Sequence, residues 1–400
     1  MSEFFLSNNL RKSNSRYRIR WNKIKELFGK FKDLGVIGIG NVTASGISGI
    51  FWFYLASILG AEKYGEVSYF IAIAGIATTI SYLGLGNTII IYSAKGEKIQ
   101  TPAFLIGIIS SIVTLLAVYG IFTHIGVSLY ILGYVIFNLV TAELLGRRIY
   151  KSYTKYLISQ KILMVVFTLG LYYAIGLEGV ILGIALSFLP YVVRVIKSFK
   201  ENQLDLKLIR KRLGFTMNSY ALDLSRTFSG YTDKLIIAPI FGFAILGNYQ
   251  LGIQFLAVLT ILPGIVYQYL LPQDARGESN KKLKQLTVLV SIILALAGIT
   301  LSPIVLPVLF PKFTEAVQVI QIVSISVIPS TINLIYISKF LGKELSRVVL
   351  IGSGIFLAIQ ISLIFVLGEI WGVNGVAAAL VIGASSETIF LAIMKKKFFE

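Results

Sequence analysis

The segment Leu55–Gly60 reads LASILG and is followed by a further glycine, Gly65. The same pattern returns in the second half of the chain, where Ile237–Gly242 reads IAPIFG and is followed by Gly247. The offset between the two copies is 182 residues. A pattern that returns at a fixed spacing predicts two copies of one structural unit.

Two further pairs of motifs extend this repeat. Ala94–Glu97 (AKGE) matches Ala275–Glu278 (ARGE) at an offset of 181 residues, and Gly176–Val180 (GLEGV) matches Gly372–Val376 (GVNGV). The three pairs occur in the same order in both halves, which argues against chance similarity between apolar segments. The repeat predicts two six-span halves in the same orientation, the plan of many secondary transporters with a substrate site between the halves.

The composition is that of a membrane protein. Hydrophobic residues make up 56% of the 400 residues and charged residues only 14%, whereas a soluble domain carries about 25% charged residues. Apolar runs of about 20 residues, each able to cross a bilayer core of about 30 Å, recur along the chain. We predict twelve spans, at approximately 36–59, 67–92, 102–123, 128–146, 156–175, 179–196, 215–241, 247–271, 285–309, 316–338, 347–367 and 372–394. The predicted fold is all-α, with about twelve transmembrane helices in two parallel six-helix repeats around a central cavity.

The basic residues, which give a net charge of +18, are concentrated in every second loop and at the two ends of the chain. One set of loops and ends contains Arg11–Lys32, Lys95, Lys98, Arg147–Lys155, Lys197–Arg212, Arg276–Lys284, Lys339–Arg347 and Lys395–Lys397. The opposite loops hold only Lys63 and Lys312. The positive-inside rule makes the basic side cytoplasmic, so both termini of this multi-pass cell-membrane protein are expected in the cytoplasm. The charge therefore indicates topology and contact with anionic lipid headgroups rather than nucleic acid binding.

These patterns divide the chain into five parts. We predict a basic cytoplasmic arm at 1–35, an N-terminal six-helix lobe at 36–197, an amphipathic linker at 198–214, a C-terminal six-helix lobe at 215–394 and a basic tail at 395–400. In the arm, apolar residues at helical spacing predict a helix lying on the membrane: Trp21, Ile24, Phe28 and Phe31. The similar segment Leu204–Leu213 of the linker is also expected to anchor on the membrane surface.

Four charges lie inside the seventh predicted span: Asp223, Arg226, Asp233 and Lys234. An ionisable residue in hydrocarbon costs roughly 2.5–3.5 kcal/mol by insertion scales and normally marks a functional site. At 100° per residue the four fall within an arc of about 100°, with Arg226 about 15 Å from the inner end of the span. We interpret this face as the wall of a cavity for a charged headgroup, and the alternative is that the charges neutralise each other and fix the helix in register.

The repeat gives this cluster an asymmetric position. At the offset of 182 the four charges correspond to Asn41, Ala44, Phe51 and Trp52 in the first span. A charge that only supported the shared scaffold would be needed in both copies. We therefore expect the cluster to act on a ligand, with Arg226, Lys234, Asp233 and Asp223 binding it together with Asn41.

Other ionisable residues of the spans give weaker signals. Glu387 in span twelve is deep enough to be a candidate for ion coupling, as is Asp223. Glu143 lies near a span end and is expected to pair with Arg147, while Arg194 is expected to reach the inner surface. Cysteine is absent and histidine occurs once, which argues against zinc and thiolate sites, and no nucleotide-binding loop is present. We expect no cofactor and no bound metal.

Several segments resemble one known family of exporters. They are Leu55–Glu66, Leu83–Asn87, Tyr231–Ile237 and Leu306–Phe313. In order and spacing they are similar to the polysaccharide (O-antigen) flippase branch of the multidrug/oligosaccharidyl-lipid/polysaccharide exporter superfamily. The chain departs from that pattern at Ser57, where family members often carry arginine, and at Phe310-Pro311, where a glycine is usual.

The resemblance implies a flippase, not an enzyme, that carries lipid-linked oligosaccharide or polysaccharide precursors from the inner to the outer leaflet by alternating access. A phosphate or pyrophosphate at the lipid–sugar junction of such a substrate would suit a guanidinium at mid-depth. Membrane lipids and glycan-assembly proteins are the expected partners. Three alternatives remain open: a cation-coupled multidrug exporter of the same superfamily, a membrane glycosyltransferase or polymerase, and a membrane scaffold that transports nothing.

Overall fold

The computed structural model describes residues 35–201, 204–278 and 280–399, and within these ranges the regular structure is entirely α-helical. The arm helix predicted around Trp21 and Phe28 lies outside the described residues. The helices are α1 Gly35–Leu59, α2 Ala61–Tyr82, α3 Leu85–Ala94, α4 Gln100–Phe122, α5 Ile125–Gly146, α6 Tyr150–Ile175, α7 Leu177–Leu186, α8 Leu189–Glu201, α9 Leu206–Lys211, α10 Leu213–Phe241, α11 Phe243–Leu259, α12 Ile261–Ala275, α13 Lys281–Leu309, α14 Ala316–Ile325, α15 Val327–Gly342 and α16 Ser346–Phe399.

The described helices supply the predicted number of membrane spans. Eight helical segments are long and apolar enough to cross a bilayer, and the broken pairs α2–α3 and α11–α12 raise the number to ten. The charged helix α10 has 29 residues, enough to cross the hydrocarbon core. The 54-residue α16 contains a non-helical residue, Gly372, and therefore comprises two spans. An all-α protein with about twelve spans is confirmed.

Glycines in the left-handed backbone region mark the turns that the sequence repeats. Gly60 ends α1 with a φ of 77°, and its counterpart Gly242 ends α10 with a φ of 89°. The other repeated motifs also place glycines at positive φ: Gly96 and Gly277, and Gly176 and Gly372. Residues with a Cβ rarely adopt this conformation, so the repeated glycines are explained by the turn that each makes.

The chain forms two compact units, each assembled from two stretches of sequence. One contains the described residues up to Gly49 together with those of Ser81–Ala221, and the other contains Ile50–Ile80 together with the described residues from Leu222 onwards. The first unit has a core of residues such as Phe104 and Tyr191, and the core of the second unit includes Tyr249. This division assigns 50–80 to the same unit as the second half of the chain, unlike the predicted lobes. The two lobes were predicted from the sequence repeat, and that division stays a prediction.

A close crossing of α2 and α11 explains why residues 50–80 belong to the second unit. A Cβ at Gly65 would overlap the carbonyl oxygen of Phe243, and a Cβ at Gly247 would overlap the carbonyl oxygen of Ala61. Gly65 and Gly247 are counterparts in the repeat, as are Ala61 and Phe243, so the contact is reciprocal. Two helix backbones approach this closely only where side chains are absent. The crossing lies at the predicted outer ends of both helices.

Candidate functional site

The helix α10 changes environment along its length. Between Leu213 and Gly230 its buried residues are Thr216 and Ser219, and the other side chains are exposed or half-buried. From Lys234 to Ala238 the helix enters the core of the second unit. The predicted cluster therefore divides, with two charges on the open part of the helix and two on the packed part.

Arg226 lies on the open part, and its side chain is exposed. Among the described residues, no carboxylate lies within 4 Å of its guanidinium, although Arg226 attracts the half-buried carboxylate of Asp223 electrostatically. A Cβ placed on Gly230, one turn further along, would have no neighbour within 4 Å. The stretch from Arg226 to Gly230 thus presents a cation beside open space.

Asp233 and Lys234 occupy the packed part of α10 and neutralise each other. The ammonium of Lys234 lies 3.3 Å from the Asp233 carboxylate and donates a hydrogen bond of 2.8 Å to the carbonyl oxygen of Gly230. The other carboxylate oxygen of Asp233 accepts a hydrogen bond of 3.0 Å from the hydroxyl of Tyr249 in α11. With the pair thus satisfied, the geometry supports a structural role for both residues.

Contacts with α2 fix the orientation of the open part of α10. The hydroxyls of Thr227 and Thr79 share a hydrogen bond of 2.9 Å. One turn further along, the ring of Tyr231 packs where Gly75 has no side chain. The face of α10 that carries Thr227 and Tyr231 is therefore held against α2. Arg226 lies about 100° away around the helix and is left uncovered by these contacts.

The paired charges lead to a stability prediction. We expect Asp233→Asn to lower the free energy of unfolding by about 3 kcal/mol, because it leaves the buried ammonium of Lys234 without its carboxylate. Adding Lys234→Met should restore most of the loss, because the unpaired charge is then removed. Thermal unfolding of the purified protein in detergent measures both changes. A double variant that is less stable than Asp233→Asn would contradict the structural role of the pair.

Asn41, which the sequence placed in the same cavity as Arg226, belongs to the first unit. Its side-chain oxygen accepts a hydrogen bond of 3.0 Å from the hydroxyl of Tyr153 in α6, and the residue is exposed. This bond gives Asn41 a structural partner within its own unit. Its role in binding a ligand stays a prediction.

Glu387 lies inside the second unit and is held by neutral donors. One carboxylate oxygen accepts a hydrogen bond of 2.9 Å from the amide of Asn333, and the other accepts one of 3.4 Å from the hydroxyl of Ser353. Thr388 donates to the side-chain oxygen of Asn333 and fixes the orientation of that amide. Among the described residues, no basic side chain lies within 4 Å of Glu387. A buried carboxyl in such surroundings suits exchange of a proton or a small cation.

The sequence correctly predicted one buried ion pair but missed its main partner. Glu143 is fully buried and bonds Arg147 at 2.9 Å, as expected. The position of Arg194 relative to the membrane surface stays a prediction, but its partner was not predicted. Its guanidinium makes two hydrogen bonds to the Glu143 carboxylate, at 2.7 and 3.0 Å. A buried carboxylate attracts a cation that is 51 residues away, and local spacing gives no sign of such a partner.

A group of lysines that the sequence suggested only as a topology signal gathers around a cavity in the second unit. The lysines are Lys281, Lys284, Lys339, Lys343 and Lys395. They come from α13, from the end of α15 and the residue that follows it, and from the end of α16. Separation along the chain hid this group, because no local pattern unites residues more than 100 positions apart.

Residues 31–272, more than half of the chain, match the family model described as polysaccharide biosynthesis protein. The chain belongs to the polysaccharide biosynthesis protein family. No curated protein matches this family member in sequence.

Solved structures show which fold this polysaccharide biosynthesis family member adopts. The lipid II flippase MurJ in its inward closed conformation is similar with a TM-score of 0.73 and 13% identity, over 90% of this chain and 87% of MurJ. An inward-facing multidrug resistance MATE family transporter of the MOP superfamily gives a TM-score of 0.70 and 15% identity, over 89% of this chain and 94% of that one. A MOP superfamily transporter from Pyrococcus furiosus gives a TM-score of 0.59 and 13% identity, over 92% of this chain and 95% of that one. The family member therefore has the MOP transporter fold.

Proposed function

We propose that this protein is a flippase that carries lipid-linked oligosaccharide or polysaccharide precursors from the inner to the outer leaflet of the cell membrane by alternating access. Membership of a polysaccharide biosynthesis family supports a glycan intermediate as the cargo. The MOP transporter fold supports movement across the membrane rather than chemistry on the sugar. Lipid II is the cargo of the similar MurJ and serves as a precedent for a lipid-linked substrate.

The exposed guanidinium of Arg226 is the observation that supports this proposal most. Exposure of a charge to lipid would cost several kcal/mol, so the side chain must meet water or an anionic ligand. Guanidinium keeps its charge and offers paired donors that match the oxygens of a phosphate. Because Asp233 and Lys234 bind each other, Arg226 is the charge of α10 that is available to the phosphate or pyrophosphate of the substrate. A guanidinium that has no ion pair within 4 Å among the described residues, at the predicted mid-depth of the span, disfavours a cationic drug as the cargo.

The buried carboxyl of Glu387, held by neutral donors, supports cation coupling as part of the transport cycle. The same observation favours the rival cation-coupled exporter. We propose that its carboxyl exchanges a proton or a small cation as the protein changes conformation. Asp223 is the weaker candidate, because the nearby guanidinium of Arg226 competes with a cation for its carboxylate.

A substitution at Glu387 tests this coupling. We expect Glu387→Gln to make the transport rate independent of an imposed pH or sodium gradient, because the amide cannot release a proton or hold a cation as a carboxylate does. Glu369→Gln, an exposed change in the same helix α16, is the matched control and should leave the response intact. Transport by proteoliposomes under imposed gradients measures the effect. A full gradient response in Glu387→Gln would eliminate this residue from coupling.

Complementation of a strain that lacks a glycan flippase tests the cargo and distinguishes the rivals. We expect the protein to restore surface glycan and to leave drug resistance unchanged. Restored drug resistance without surface glycan would favour the multidrug exporter. Sugar transfer by the purified protein would favour a glycosyltransferase or polymerase, and an inert protein that only retains its partners at the membrane would favour a scaffold.

The proposed direction of transport depends on the topology. The basic loops are expected in the cytoplasm by the positive-inside rule. This orientation places the end of α10 near Leu213 on the inner side and the α2–α11 crossing on the outer side. Reaction of single cysteines with an impermeant maleimide, in a chain that has no cysteine of its own, checks the orientation directly.

A further inference from the structure

The cavity lined by lysines has the size and charge of a binding site. Its volume is about 470 Å³, within the range of about 300–1,000 Å³ that is typical of small-molecule sites. The five lysines approach it from three separate parts of the chain. Like charges gathered in this way repel each other, so an anion bound in the cavity would stabilise the arrangement.

The acidic residues of the cavity do not neutralise the lysines. Among the described residues of the lining, Asp274 and Glu278 are the carboxylates, and the five lysines exceed them by three charges. Asp274 is occupied by Lys284 at 2.6 Å and by the hydroxyl of Ser338 at 2.7 Å. Glu278 pairs with Arg276 at 3.2 Å. Positive charge therefore remains for a ligand.

Two lysines are available to that ligand. Lys281 and Lys343 are exposed, and among the described residues neither has a carboxylate within 4 Å. They lie at the start of α13 and just after the end of α15, so their ammonium groups reach the cavity from two elements. Chelation by separate elements favours a ligand that carries more than one anionic oxygen.

Aromatic rings organise two further lysines around the cavity. The ammonium of Lys339 lies 3.9 Å from the ring centre of Phe399, and that of Lys395 lies 6.0 Å from the ring centre of Tyr336. Attraction between a cation and the face of a ring helps to hold each ammonium in place. The cavity is therefore partly organised before an anion binds.

The surroundings of the cavity indicate where the anion comes from. Immediately after Lys281 and Lys284, α13 presents exposed apolar residues, including Leu286 and Leu289. The lysines thus lie where the apolar surface of a span begins, at the level of lipid headgroups on the predicted cytoplasmic side. Basic pockets between spans on that side suit the phosphates of anionic lipids.

We propose that this cavity binds a phosphate-bearing headgroup at the inner membrane surface, at a site separate from Arg226. The ligand chemistry is a phosphate ester or diphosphate held by ammonium groups. An anionic phospholipid and a free phosphate compound share this chemistry, and the two sources are separated by experiment. Binding is measured without transport, so the result is independent of the proposed flippase activity.

The test uses delipidated full-length protein in detergent and two triple variants that change charge equally. The first is Lys281→Gln, Lys343→Gln and Lys395→Gln, within the lining. The second is Lys282→Gln, Lys396→Gln and Lys397→Gln, at neighbouring positions that do not line the cavity. Phosphatidylglycerol is the anionic lipid probe, phosphatidylcholine the neutral one and inorganic pyrophosphate the soluble one. Native mass spectrometry reports the lipid adducts, and calorimetry reports the pyrophosphate affinity.

We expect the lining triple to bind phosphatidylglycerol or pyrophosphate about tenfold or more weakly than the natural protein, since each lysine near a phosphate contributes measurably. The control triple should bind within about twofold of the natural protein, because its charges lie outside the site.

Loss of lipid binding alone identifies a lipid headgroup, and loss of pyrophosphate binding identifies a free phosphate compound. Equal binding by the two triples, or no preference of the natural protein for phosphatidylglycerol or pyrophosphate over phosphatidylcholine, would overturn the proposal. A lining triple in which arginine replaces each lysine keeps the charge and should bind, which separates loss of the site from loss of folding.

Discussion

Arg226→Ala is expected to reduce export of lipid-linked glycan by about 100-fold. A paired, charge-assisted contact between guanidinium and phosphate contributes about 3 kcal/mol, which corresponds to that factor. The protein should remain folded, because Arg226 has no ion pair to lose among the described residues and its side chain is exposed. Surface glycan in the complementation strain, normalised to the amount of protein in the membrane, measures the effect.

Two further variants make this prediction specific. Arg226→Lys keeps the charge but loses the paired donors, so we expect an intermediate rate. Arg347→Ala removes a positive charge from an exposed position at the start of α16 and should leave export unchanged. Full export by Arg226→Ala would contradict headgroup binding at this residue. Equal losses in Arg226→Ala and Arg347→Ala would show that only the overall charge matters.

Gly65→Ala and Gly247→Ala are each expected to reduce transport by about tenfold or more. A methyl group at either glycine overlaps a backbone carbonyl of the opposite helix, and backbone has no other rotamer to adopt. Overpacking of this kind costs about 1–3 kcal/mol in the state that contains the contact. If transport passes through a state with this outer crossing closed, both variants populate that state less. The reciprocal geometry predicts similar losses for the two variants.

Cysteine labelling tests the same prediction without relying on transport. Ala56 is completely buried, and its carbonyl oxygen accepts a hydrogen bond from the amide of Gly60 at the turn that precedes the crossing. The natural chain contains no cysteine. Ala56→Cys should react slowly with an impermeant maleimide and faster when Gly65→Ala is added. Gly120→Ala is the control, because a Cβ there meets nothing within 4 Å. Normal transport by Gly65→Ala and Gly247→Ala, together with slow labelling of Ala56→Cys in both, would show that transport does not depend on closure of the crossing.

The spans and the turns were predictable because the sequence encodes them locally. Apolar length specifies a helix that crosses a bilayer, and a glycine at each repeated turn specifies a backbone conformation that other residues avoid. Gly60 and Gly242 illustrate this, since sequence similarity alone identified them and both have positive φ. The unit boundary was not predictable in this way. It depends on the approach of Gly65 to Phe243, which joins two distant parts of the chain.

The candidate site was predictable only in outline. A helical projection places Arg226, Asp233 and Lys234 on one face and treats them alike. The structure separates them because the partner of Asp233 is Tyr249, a residue of the next helix. Burial of the Asp233–Lys234 pair and exposure of the Arg226 guanidinium depend on tertiary packing, which the periodicity of the sequence does not encode.

The linker shows the same limit for an amphipathic segment. Its apolar residues predicted contact with the membrane surface. In the structure Ile209 of α9 is buried in the core of the first unit, and Leu208 packs against that core. An apolar face signals that a helix is covered, but its pattern does not say whether lipid or protein covers it.

Translocation of a fluorescent lipid-linked oligosaccharide diphosphate in proteoliposomes tests the central claim most directly. A membrane-impermeant quencher reports how much of the probe can reach the outer leaflet. The flippase account predicts that the natural protein raises the rate well above that of protein-free liposomes, that Arg226→Ala returns it close to that baseline, and that a fluorescent phosphatidylcholine is not carried. A natural protein that moves the lipid-linked sugar no faster than protein-free liposomes, while it transports a cationic drug, would contradict the account.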